Sequence, residues 1–247
     1  MTAPDLAALA LAALVGSAAQ SATGFGVALT VSPVSFALLK PADAVLTVAA
    51  ASLAQNVLVL LTRRRRLDLR LADAALLVAA AIPGLLLGAL IISHVSKPPM
   101  QLAVGLAILA AVLFRLHQPG RLKALQPRPA GAPVGLLAGI LTTTVGINGP
   151  PMVIWLRARG ATLTQLRDTL AIIFLTLNLA AIPSLTTRGG SIPAAAILPT
   201  AAGLLLGHAL GLAAHNRVPA NKLDRALEAV LTAAAAASII GAATALT

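Results

Sequence analysis

The stretch SATGFGVALT, Ser21 to Thr30, lies inside a long apolar run, yet it carries two glycines, a serine and two threonines. A second stretch of the same kind, TTTVGINGPP, Thr142 to Pro151, interrupts another apolar run about 120 residues later. Glycine and proline are the residues that most weaken a helix. Two such breaks in apolar surroundings need a physical reason, and the solvent around the chain supplies the first part of it.

Of 247 residues, 58% are hydrophobic and 10% are charged, against about 25% charged in a soluble domain. Mean hydropathy is +0.93. There is too little polar surface for a water-facing exterior, so the lipid bilayer is the expected environment. There the backbone must pair with itself in helices or a closed barrel. The apolar runs are long, rich in Ala and Leu and without alternation, which selects an all-α polytopic membrane protein. The net charge of +11 would suggest a nucleic-acid partner in a soluble chain. Here the cations fall in short gaps between apolar runs, where they set membrane orientation, and no nucleic acid is expected. The absence of cysteine excludes disulfides, thiolate metal sites and cysteine nucleophiles. No Lys or Arg precedes the apolar run at Leu6, which argues against a cleaved secretory signal.

Eight apolar segments can be read: Leu6–Leu39, Asp43–Leu61, Asp73–Ile92, Met100–Leu116, Ala132–Leu156, Asp168–Thr187, Ile192–Ala214 and Asp224–Leu246. If all eight cross, the 18 cations divide ten to eight between the two faces, and the positive-inside rule is not met. If the first and fifth segments enter, turn at their glycines and leave on the same side, the division changes. One face then collects Arg63–Arg70, Arg115–Arg128, Arg157–Arg167 and Arg217–Arg225, fifteen cations, and the other keeps Lys40, Lys97 and Arg188. This second arrangement is the expected one, with both termini outside the cytoplasm.

Six crossings in two sets of three make the second half upside down relative to the first. The residues support a duplication independently. At a shift of 122, Gly24-Phe25-Gly26 falls on Gly146-Ile147-Asn148 and Asn56 on Asn178; GLLLG occurs at Gly84–Gly88 and again at Gly203–Gly207. The expected organisation is two inverted repeats, residues 1–117 and 134–247, each a broken re-entrant helical hairpin plus three transmembrane helices. A basic cytoplasmic linker, 118–133, joins them. Asp43, Asp73, Asp168 and Asp224 stand at the start of predicted helices, where a carboxylate caps the N-terminus.

Irregular backbone at membrane depth is tolerated only inside protein or beside a water-filled cavity. Opposed hairpins would bring Gly24, Phe25 and Gly26 to Gly146, Asn148 and Gly149 near the midplane. Broken helices of transporters aim their N-terminal N–H groups at anionic ligands there. Gly24 and Gly26 permit the turn, and Pro150 and Pro151 suit the first turn of a restarting helix. Ser21, Thr23, Thr142, Thr143, Thr144 and Asn148 are candidate donors to an oxyanion. The competing structural reading is that these glycines only let helices pack closely.

GFG in the first apolar segment, GINGPP opening the second half, and the duplicated layout resemble the TauE/SafE sulfite-exporter family over nearly the whole chain. The resemblance implies transport of small sulfur-containing anions such as sulfite, sulfoacetate and related organosulfonates, or of small carboxylates. It also implies the bacterial inner membrane as location; a homodimer is compatible with it.

Asn56 and Asn178 follow the two hairpins within apolar helices, where an unpaired amide is costly. They are candidate anion donors, or else interhelical glue. Gln20 and Gln55 are weaker candidates of the same kind. His208 is a candidate proton-linked or anion-contacting group, or a packing residue. Arg157, Arg159 and Arg167 belong to the basic mouth, and Trp155 and His117 read as interfacial residues.

The function expected is a secondary carrier working around a midplane site, with a channel-like anion permease as the near alternative. An enzyme is not expected: four histidines without HExxH and without a mid-span acidic partner build neither a metal site nor a nucleophile–base pair. No cofactor is implied. A non-transporting assembly subunit would have no use for two polar broken hairpins.

Overall fold

The computed structural model describes residues 1–62, 65–116, 125–215, 232, 235–236 and 238–243. The described residues form helices and connections, with no strand among them. In chain order the helices are α1 (Ala3–Thr23), α2 (Val27–Leu38), α3 (Pro41–Leu61), α4 (Leu71–Ile92), α5 (Lys97–Leu116), α6 (Gly131–Thr144), α7 (Gly149–Ala158), α8 (Leu163–Thr186) and α9 (Ala194–His215). Most of the eighth apolar segment lies outside the described residues, as do Arg63, Arg64, Arg121, Lys123, Arg217, Lys222, Arg225 and His117.

Among the described residues, five helices are long and apolar enough to cross a bilayer: Ala3–Ser21, Pro41–Leu61, Leu71–Ile92, Leu163–Thr186 and Ala194–Ala213. Several of their leucines face outward. Leu86, Leu87 and Leu90 on α4 and Leu198, Leu205 and Leu206 on α9 are all exposed.

Both expected breaks are present. The first apolar segment stops at Gly24, a left-handed residue at φ 95° whose N–H bonds Gln20 O, and restarts at Val27. The fifth stops before Gly146, also left-handed at φ 76°, and restarts at Gly149. Each break doubles the chain back. Gly16 lies against Val27, and Thr30 Oγ1 donates to Ala12 O at 2.8 Å, so α2 returns along α1. Gly131 lies against the Trp155 ring, so α7 returns along α6. The arms are unequal. α1 has 21 residues, about 32 Å at 1.5 Å per residue; α2 has 12 and covers about half of that.

The order of contacts gives the direction of each helix pair. Along α1 and α9, Ala10, Leu14 and Ala18 face Gly203, Gly207 and Gly211 in parallel. Along α4 and α6, Leu77, Ala81 and Ile140 face Gly135, Gly139 and Gly88, again in parallel. The two GLLLG motifs therefore work across the chain: each turns its glycines onto the backbone of the other half's first helix and its second and third leucines to the outside, while Leu85 and Leu204 are buried. α3 and α8 are antiparallel, because Ser191 binds Asp43 near one end and Arg65 pairs with Asp168 near the other.

Three expectations are corrected here. α8 begins at Leu163, not at Asp168, because Thr162 and Gln165 form a reciprocal capping box. Asp43 and Asp73 do lie in first turns, where a carboxylate offsets the helix dipole, but the N-cap residues are Lys40 and Arg70, whose side chains make no cap bond. All three aspartates instead cross the molecule: Asp43 accepts from Ser191 at 2.7 Å, Asp73 pairs with Arg159 at 3.2 Å, and Asp168 pairs with Arg65 at 2.9 Å. Asp224 lies outside the described residues. Trp155 is not interfacial; it is fully buried, with the Arg159 guanidinium 5.0 Å from its ring centroid.

Candidate functional site

A cavity lies where the two breaks meet. Its walls come in pairs separated by 122 residues: Phe25 with Ile147, Gly26 with Asn148, Ser52 with Phe174, and Asn56 with Asn178. Gln20, Ala28, Leu29, Gly149 and Pro150 complete it. The cavity offers about 20 Å³, room for about one water molecule. Ser32 Oγ holds the two breaks together by donating to Val145 O at 2.6 Å.

The local sequence aims two helix starts at this point. Gly26 precedes α2 and Asn148 precedes α7, so the positive ends of both helix dipoles face the cavity. Gly26 has to be small, since a β-carbon would stand 2.9 Å from Gly16 O. Pro150 and Pro151 carry no N–H, so the restart of α7 leaves fewer backbone donors unsatisfied.

The side chains give the site its polarity. Gln20 is a brace: its Oε1 accepts the Val27 N–H at 3.1 Å, and its Nε2 donates to Asn56 Oδ1 at 2.9 Å. With its oxygen held there, Asn56 presents its Nδ2 elsewhere, and that buried donor has no partner. Ser52, one turn earlier on the same face of α3, has a buried hydroxyl that is also unpartnered. Asn178 differs from its repeat-mate, because its Nδ2 is engaged by Phe174 O at 2.8 Å. Asn148 makes no capping bond to α7. Among the described residues, no charged side chain lines the cavity. Neutral donors facing two helix N-termini can hold a small oxyanion without the desolvation cost of a buried cation.

A family model described as sulfite exporter TauE/SafE matches residues 8–238. The chain belongs to the TauE/SafE sulfite exporter family. This is a family of membrane transporters for sulfite and related sulfur anions, and not of enzymes. No curated protein and no solved structure matches the chain.

Within this TauE/SafE member, Gln20, Phe25, Gly26, Asn56, Asn148, Gly149, Pro150 and Asn178 come together at the cavity. The other candidates do not line it. Gly24 and Gly146 form the turns behind it. Thr23, Thr143 and Thr144 donate their hydroxyls to backbone carbonyls of Ala19 and Phe25, of Leu85, and of Ile140. An apolar helix offers a hydroxyl no better partner than such a carbonyl. Ser21 and His208 belong to a second buried cluster between α1, α3 and α9. His208 Nδ1 lies 2.7 Å from Ser21 Oγ and 3.3 Å from Gln55 Nε2, and its Nε2 lies 3.0 Å from Thr62 Oγ1. Arg167 reaches back to bond Ser21 O at 2.6 Å at the end of α1.

Sequence reasoning missed Ala28, Leu29, Ser52, Ile147 and Phe174 as cavity residues. For Ser52 and Phe174 the signal that would have found them is the one that paired Asn56 with Asn178, since each stands four residues before its asparagine at the same shift of 122.

Proposed function

We propose that this protein carries sulfite, or an organosulfonate such as sulfoacetate, through the cavity between the two breaks, by alternating access between inverted repeats. The opposed directions of α1 and α6, of α3 and α8, and of α4 and α9 are what an inverted duplication requires. The observation that carries the site is the pair of unpartnered donors, Asn56 Nδ2 and Ser52 Oγ, in front of two helix N-termini. A buried donor without a partner costs on the order of 1–3 kcal/mol, and a cavity-facing oxyanion is the ligand that would satisfy both.

A space of about 20 Å³ where the breaks meet is too small for an anion to pass without rearrangement, which favours a carrier over a channel-like permease. Sulfite exceeds that space, so loading it requires helices to separate. The units that move are cross-paired, α1 with α9 and α4 with α6, because their backbones are locked by glycine contacts. The arginine-rich end, with Arg65, Arg70, Arg128 and Arg159, faces the cytoplasm by the positive-inside rule. This fits a bacterial inner membrane with the N-terminus outside.

The test is uptake of radiolabelled sulfite into proteoliposomes. Asn56→Ala should cut the rate about tenfold or more, the loss of one hydrogen bond to a charged ligand. Unchanged uptake in that variant would move the site elsewhere, and uptake of sulfoacetate but not sulfite would rename the substrate.

A further inference from the structure

A second recess opens at the arginine-rich end and shares no residue with the central cavity. Arg70, Leu71, Ala72, Asp73, Arg128 and Arg159 line it, and its volume is about 280 Å³. Three guanidinium groups and one carboxylate share the recess. That carboxylate is already saturated: Arg70 Nε holds one Asp73 oxygen at 2.7 Å and Arg159 Nη2 the other at 3.2 Å. Carbonyls fix the cations in place, through Arg70 Nη1 to Arg159 O at 2.9 Å and Arg159 Nη1 to Gln126 O at 2.8 Å. Arg128 is exposed and bonds the Ala72 carbonyl at 3.2 Å; among the described residues it faces no carboxylate. The recess thus keeps two uncompensated positive charges on a rigid frame. It also sits at the start of α4, whose first backbone N–H groups have no intrahelical acceptor.

We propose that this recess holds the phosphate of an anionic phospholipid headgroup. Forked guanidiniums match phosphate oxygens in pairs, and a helix start adds backbone donors and a favourable dipole. Lipid, not a free anion, is indicated by what adjoins the charge. Leu71 in the recess wall is 66% exposed, and α4 continues away from it as a lipid-facing surface through Leu86, Leu87 and Leu90. A phosphate seated among the arginines therefore leaves its acyl chains along apolar helix. Basic recesses of this kind at the cytoplasmic ends of membrane helices suit anionic headgroups.

The experiment is native mass spectrometry of the purified full chain in detergent with three probes: dioctanoyl phosphatidylglycerol, dioctanoyl phosphatidylcholine and inorganic phosphate. Trp155 emission is read in parallel, since it is the only tryptophan and lies against Arg159. Phosphatidylglycerol should give a retained, saturable adduct and a change in Trp155 emission, with little of either from phosphatidylcholine or phosphate. Arg128→Gln, an exposed position, should weaken the phosphatidylglycerol adduct about fivefold, the effect of one basic residue at an anionic headgroup. Equal retention of phosphatidylcholine, or an adduct unaffected by Arg128→Gln, would overturn the site. Phosphate binding as tightly as phosphatidylglycerol would overturn its assignment to lipid.

Discussion

At the scale of single residues, function follows from which polar atoms are already committed. Asn56 and Asn178 stand 122 residues apart on the cavity wall, but of the two only Asn56 has an amide nitrogen with no partner. Asn178→Ala should therefore slow sulfite uptake less than Asn56→Ala does; a larger effect at Asn178 would assign the anion to the wrong wall of the cavity. Gln20 acts through Asn56. Its replacement by Ala should raise the KM for sulfite several-fold, because the amide it orients is released, and leave folded yield near that of the parent protein. Asp168 is fully buried and held by Arg65, which is half exposed, and by the Asp68 N–H at 2.9 Å. Asp168→Ala should cost about 2 kcal/mol, short of the 3–5 kcal/mol of a fully buried pair because Arg65 regains water, and a thermal melt in detergent measures it.

The sequence was legible at this scale in part. Glycine and proline declare a break wherever it occurs, so Gly24–Gly26 and Gly146–Gly149 could be placed directly. Hydroxyls declare nothing, because Thr23, Thr143 and Thr144 look like ligand donors until their carbonyl partners are seen. Trp155 likewise gives no sign in sequence of the Arg159 side chain that covers it.

At the scale of elements, the GLLLG motifs carry the packing. Gly207 presses on Leu14 O and Gly203 on Ala10 O, leaving no space for a side chain. Gly207→Leu should abolish the α1–α9 contact and with it most of the folded protein, as judged by size-exclusion profile and melting temperature. Gly160→Ala is the comparison. Gly160 is also left-handed, at φ 76°, but nothing lies within 4 Å of its would-be side chain. It should cost only about 1 kcal/mol of backbone strain. Similar losses in both would mean that conformation, not close approach, governs these glycines. The matches at a shift of 122 residues can be read from residue identities alone. The cross-pairing of α9 with α1 and of α4 with α6 cannot, because a small residue marks a close approach without naming its partner.

At the scale of the whole molecule, charge and symmetry act together. Among the described residues, Arg65, Arg70, Arg128 and Arg159 interlock at one end through Asp73, Asp168 and backbone carbonyls. Lys97 binds Ala37 O and Arg188 binds Ser93 Oγ at the other end. The chain has no cysteine, so single cysteines report sidedness cleanly. Thr164→Cys should react with an impermeant maleimide only after cells are opened, and Ser96→Cys in intact cells; the reverse pattern would invert the proposed orientation. Direct determination of the structure with bound sulfite bears most closely on the central proposal. The anion is expected between the starts of α2 and α7, with oxygens in hydrogen-bond reach of Asn56 Nδ2 and Ser52 Oγ. Sulfite found instead among Ser21, Gln55 and His208, or among the arginines beside α4, would contradict it.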